Sequence, residues 1–190
     1  MSGGHGHGAV EGSNKTIALL ISVLALFLAI SETVGKSAQT SALGYNIEAS
    51  NLWAFFQAKT IRMTVVRTAA ENAELERAAV AGEGPGLDVY KKRLDSWTKT
   101  AARWDSEPET GEGRKELAAR AKAAEEKSAT NLAKYHHFEL GSAAFQIAIV
   151  LASAMLITGV AALGWAGVGL GVVGLGFVGL GLFAPHVHLF

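Results

Sequence analysis

From Ser142 to Ala184 the chain reads SAAFQIAIVLASAMLITGVAALGWAGVGLGVVGLGFVGLGLFA, without one Asp, Glu, Lys or Arg. A helix needs ~20 predominantly apolar residues to cross ~30 Å of hydrocarbon, so this stretch is too long for one span and long enough for two. Inside lipid every backbone N–H and C=O must find a partner, which makes a helical hairpin the reading that fits. The pattern predicts one span over 142–163 and a Gly-rich one over 165–184, parted at Gly164-Trp165-Ala166-Gly167. Trp165 suits an interfacial turn, and Pro185 ends the last helix before a tail over 185–190.

Working outward, Thr16 to Val34 (TIALLISVLALFLAISETV) is a third apolar run, uncharged until Glu32. A cleaved signal peptide competes with a membrane anchor here. The basic side of such a peptide would be Lys15 alone, with Glu11 nearby, and the apolar core is longer than usual, so a retained span over 15–35 is favoured. A flexible Gly/His tail is expected before it, over 1–14. The chain of 190 residues balances 17 Lys+Arg against 17 Asp+Glu. Outside Gly35–Gly141 the only charged residues are Glu11, Glu32 and Lys15, so the charge is confined to one insert. Balanced charge gives no footprint for nucleic acid. The absence of Cys excludes disulfides, thiol nucleophiles and cysteine metal sites.

The insert, 36–141, carries three helical patterns, over about 45–82, 86–105 and 113–140. In the first, Leu52, Phe56, Met63, Val66, Ala70 and Ala73 form a helical seam. Trp53, Phe55, Ile61 and Val65 add a second apolar face, so its first half is expected to be buried on two sides close to the membrane. In the second, Leu87, Tyr90, Leu94, Trp97, Ala101 and Trp104 keep a three-four spacing without a miss. In the third, Leu117, Ala121, Ala124, Ser128, Leu132 and Tyr135 share a face, and this helix is expected to run straight into the second span. Gly82-Glu-Gly-Pro-Gly86 is a turn, and Pro108 with two Gly breaks the chain between Asp105 and Gly113. The expected fold is therefore an all-α membrane protein. Three transmembrane helices carry a helical, antiparallel, coiled-coil-like soluble stalk between the first and second. Lys127 and Lys134 precede the second span while the next loop has no Lys or Arg, so the positive-inside rule places the insert in the cytoplasm.

Four stretches carry a resemblance to a known family: KTIALLISVLALFLAISETVGKSAQT (Lys15–Thr40), NLWAFFQAKTIRMT (Asn51–Thr64), AFQIAIVLASAMLITGVA (Ala144–Ala161) and GLFAPH (Gly181–His186). They resemble the bacterial membrane proteins of domain of unknown function 4337. The aromatic-polar string at Asn51–Thr64 is the most specific of them. The resemblance implies a helical, multi-pass protein of the bacterial inner membrane, and it implies no catalytic residue and no activity.

The candidate chemistry is sparse. Glu32 is the one acidic residue within an expected span, an ion or proton site by default, with Gln146 one turn into the second span. The competing reading of Glu32 is a structural one, since Lys36 follows at i+4. Gln146 is more simply an interhelical hydrogen bond. His136, His137 and Glu139 before the second span, with His186 and His188 after the third, would return to one membrane face and could form a metal site. Against this, adjacent His136 and His137 point ~100° apart on a helix. Trp53, Phe55 and Phe56 around Gln57, Lys59 and Arg62 read as packing before they read as a ligand groove. No Walker, His-Glu-x-x-His or Ser–His–Asp pattern occurs. No cofactor and no enzymatic activity are expected.

Two glycine seams remain. Gly164, Gly167, Gly171, Gly174 and Gly181 lie along one side of the third span, and Gly169, Gly176 and Gly179 lie ~200° away. Both sides permit close backbone approach, the usual basis of helix packing in lipid. The expected function is a non-enzymatic, homo-oligomeric scaffold or assembly protein in the bilayer, within reach of a larger membrane complex. A small channel or transport subunit and a membrane metal-binding protein are the alternatives.

Overall fold

The computed structural model describes residues 7–79 and 86–187, the side chains of 7–14 and 79 excepted. Four helices follow one another: α1 (His7–Ala79), α2 (Gly86–Asp105), α3 (Arg114–Thr158) and α4 (Ala161–Phe183). Helices α1, α3 and α4 are long and apolar enough to cross a membrane, and α2 is the non-spanning helix inserted between the first two. The protein is a multi-pass membrane protein built on helix–helix packing.

The first span and the first insert helix are one element, α1, which runs through the expected junction at 36–44. No Pro interrupts it, and Thr40 satisfies its hydroxyl on the Lys36 carbonyl at 2.9 Å. Buried Ala38 and Ala42 continue the packed face across the junction. The start of α1 also reaches back to His7, into the stretch expected as a tail.

The hairpin turn falls at Gly159-Val160, five residues before the expected break. Gly159 has φ +74°, and its N–H donates to the Met155 carbonyl at 2.9 Å. That is the left-handed cap which glycine adopts without a Cβ clash. Gly164 and Gly167 lie inside α4 and are buried there. They are packing glycines rather than breakers, and Trp165 stands exposed between them on the helix.

The chain divides into two compact units, one formed by residues up to Leu43 and from Ser128, the other by Gly44–Lys127. In the first unit α3 runs antiparallel to α1, bringing Phe138 against Gly35 and Phe145 and Ala148 against Leu24. Helix α4 returns along α3: a Cβ at Gly164, Gly174 or Gly181 would meet Met155, Phe145 or His137 in turn. Its Gly171 faces Leu24 of α1, so the three helices share one core.

In the second unit Leu52 of α1 packs on Leu117 and Ala121 of α3, with Trp53 and Phe56 beside them. The Trp53 indole donates to Glu125 at 2.7 Å, and the Arg114 guanidinium lies 5.6 Å from the Phe56 ring centre. Lys59 fills the polar gap in the α1 seam by donating to the Glu112 carbonyl. Val66 and Ala70 of α1 share a groove with Trp97 and Ala101 of α2. The bend from α2 into α3 is held by Asp105, which pairs with Arg114 and Lys115, both at 2.9 Å. Lys115 first, and then Arg114, holds the Asp105 carboxyl below the usual carboxylate range.

Candidate functional site

The polar groups of the first unit gather in a cleft of about 370 Å³ between α1 and α3. Spacing explains why they meet. Ser31, Glu32, Gly35, Lys36 and Gln39 recur at helical intervals on one side of α1, and Tyr135, Glu139, Ser142 and Gln146 do so on α3. Gln146 Nε2 donates to Glu32 Oε1 at 3.2 Å, joining two residues 114 positions apart. Glu32 thus finds its hydrogen bond on the facing helix, and Lys36, its expected i+4 partner, stands on the cleft wall. The Tyr135 hydroxyl donates to Glu139 Oε1 at 3.2 Å, and His136 Nδ1 lies 3.6 Å from the other carboxylate oxygen.

The floor of this cleft is tight. Ser31 is buried and donates its hydroxyl to the Phe138 carbonyl at 2.9 Å. A Cβ on Gly35 would come within 3.1 Å of Phe138 Cβ, and one on Gly141 within 3.2 Å of the Gly174 carbonyl. Ser31, Gly35, Ala38 and Ala42 form a small-residue stripe that lets α3 approach α1. Ser31, Gly35 and Gly141 carry no polar or charged motif that marks them in the sequence; the signal for the first two is that four-three-four spacing of small side chains. The residues lining the cleft come from α1 and α3 alone, so it is a furrow on the outer face of the bundle.

Among the described residues the candidate histidines do not gather. His136 is exposed beside Glu139, whereas His137 is buried and stacks at 6.5 Å on Phe177 of α4, its Nδ1 lacking a hydrogen-bond partner. His186 is exposed past the end of α4, and His188 lies outside the described residues. Among the described residues no group of three or more His, Cys, Asp or Glu is placed to hold a metal. The ~100° between successive helix positions sends His136 and His137 to different surroundings.

The two glycine seams part company as well. Gly164, Gly167, Gly171, Gly174 and Gly181 are all buried. An added Cβ would come within 3.0 Å of the Ala148 carbonyl at Gly167 and within 2.8 Å of the Phe145 ring at Gly174. Gly169, Gly176 and Gly179 have nothing within 4 Å of that position. The first seam is consumed by packing within the chain; the second is bare.

Comparison with known proteins finds a family match. The family model described as Domain of unknown function (DUF4337) covers residues 13–184, from the start of the first span to the end of the last. No curated protein and no solved structure matches the chain.

Proposed function

The chain belongs to the DUF4337 family, and on that premise we propose that it is a non-enzymatic, homo-oligomeric scaffold of the bacterial inner membrane, acting through helix–helix contacts. One observation carries the reading. The Gly169, Gly176 and Gly179 side of α4 is open over almost three turns while the opposite side is fully used. A bare glycine seam offers a neighbouring helix close backbone contact, which is what drives association where lipid supplies no hydrophobic force. Lys127 and Lys134 before the second span support a cytoplasmic insert.

Mass measurement in mild detergent tests the proposal. Wild type is expected above the 19.8 kDa of one chain. Gly176→Leu is expected to lower the mass without unfolding the bundle, whereas Gly171→Leu collides with Leu24 and damages the bundle itself. A strictly monomeric wild type refutes the scaffold. The Glu32–Gln146 pair favours a second reading, a channel or transport subunit. Ion flux through reconstituted vesicles that Glu32→Ala abolishes would establish that reading instead.

A further inference from the structure

Helix α1 carries two heptad seams on nearly opposite sides of its part in the second unit. The covered one includes Leu52 and Met63, buried against the rest of that unit. The other runs Ile47, Ala54, Ile61, Thr68, Leu75 at one heptad position and Asn51, Ala58, Val65, Asn72 at the next. Every one of these nine residues is exposed, and Ile47, Ile61, Val65 and Leu75 are 62–70% so. Ile61, Thr64, Val65, Thr68 and Asn72 line a shallow groove to which α1 alone contributes. Lipid does not account for the exposure. Ile47 stands 13 residues beyond Val34, the end of the apolar run, and the others follow later in the chain.

We infer that this stripe pairs with the same stripe of a second copy of the chain, as a parallel, in-register coiled coil over residues 47–75. The inference rests on the self-association proposed above and adds a second surface to it. The occupant follows from the pattern. A 3.5-residue period held over four heptads is matched by another long helix that supercoils with it. Asn51 and Asn72 are three heptads apart, so in a parallel, in-register pair each amide meets its own counterpart. A lone polar residue at such a position is the usual device that fixes register and strand number. An antiparallel pair sets that position against the Ile47–Leu75 row, where Thr68 is the one polar side chain, so the amides do not meet their own counterparts. The membrane supplies the rest: α1 begins in a span, so two copies in one bilayer run the same way with equal residues level. The flanking positions place Gln57 against Arg62 of the second copy, a compatible pair, and Glu71 against Glu76, a like-charge pair that weakens the distal end.

The chain has no Cys, so one introduced thiol is the only one. Full-length Ala54→Cys and Thr68→Cys, reconstituted in vesicles and oxidised, are expected to pass mostly into disulfide dimers. Arg67→Cys, one residue off the stripe, is expected to stay monomeric on the gel. Each variant is first checked for wild-type mass in detergent, which separates failed folding from failed pairing. Cross-linking only between Ala54→Cys and Thr68→Cys in mixed copies means antiparallel pairing and overturns the inference. An oligomer by mass with no cross-link at 54 or 68 also overturns it, yet leaves self-association standing. A monomer by mass overturns both.

Discussion

Alanine substitution along α4 separates its two glycine seams quantitatively. At Gly174 the new Cβ would stand 2.8 Å from Phe145 Cε1 and 3.0 Å from Cδ1 and Cζ. The ring has nowhere to go: Phe145 is fully buried, boxed by Leu24 and Ala148, with the Phe27 ring stacked at 6.0 Å. Overpacking of this kind costs about 1–3 kcal/mol. Gly176→Ala meets nothing within 4 Å. Both substitutions gain the same helix propensity, about 1 kcal/mol, so that term cancels in their difference. Gly174→Ala should therefore melt below Gly176→Ala by about 1–3 kcal/mol, or roughly 2–12 °C. Thermal unfolding in a detergent that holds both variants as monomers, followed by circular dichroism at equal protein concentration, reads the gap. Equal melting temperatures would refute the placement of Gly174 against Phe145, and with it the antiparallel register of α3 and α4.

Three further outcomes are expected. Gly159→Ala forces a Cβ into a φ of +74° and should cost about 1–2 kcal/mol in the same assay; an unchanged melting temperature moves the turn elsewhere. The depressed pKa of Asp105 means its carboxylate contributes stability above the ordinary value of 3.8, and that contribution disappears as pH falls through the lower folded value. Asp105→Asn should thus be about 1 kcal/mol less stable at neutral pH, with the difference closing in acid, and a pH-independent difference contradicts the Lys115 and Arg114 pairing. Val89→Cys, on an exposed position of α2, should resist a membrane-impermeant thiol reagent in intact spheroplasts; rapid labelling reverses the proposed orientation.

The covered face of helix α2 was legible because its information is local. Leu87, Tyr90, Leu94, Trp97, Ala101 and Trp104 all prove at least half covered, as a single amphipathic stripe requires. The hairpin turn was not, because glycine serves two opposed ends in a membrane. It breaks a helix where φ must turn positive, as at Gly159, and it tightens one where a neighbour presses close, as at Gly164 and Gly167. Sequence spacing alone cannot tell these apart, since the difference lies in what the facing helix presents. The Glu32–Gln146 pair has the same character. Each residue stood out as polar within a span, and only the register of α1 against α3 joins them.

The bare stripe of α1 is hard to tell from a buried side by sequence for a different reason. Its covered and uncovered seams are offset by about two residues, or ~200°, so two apolar sides oppose each other and no single amphipathic face stands out. Trp53, Phe55, Ile61 and Val65 read from sequence as a second buried side close to the membrane, yet Phe55, Ile61 and Val65 are each more than 60% exposed within one chain. A long run of exposed Ile, Val and Leu is unusual on a monomer, and here it keeps heptad phase from Ile47 to Leu75. The two α1 seams divide the labour as the two glycine seams of α4 do, one spent inside the chain and one left over. That the leftover seam recurs in both units is the strongest physical reason to read the chain as part of an assembly: each unit, described by itself, keeps one helix side shaped for another helix and unfilled.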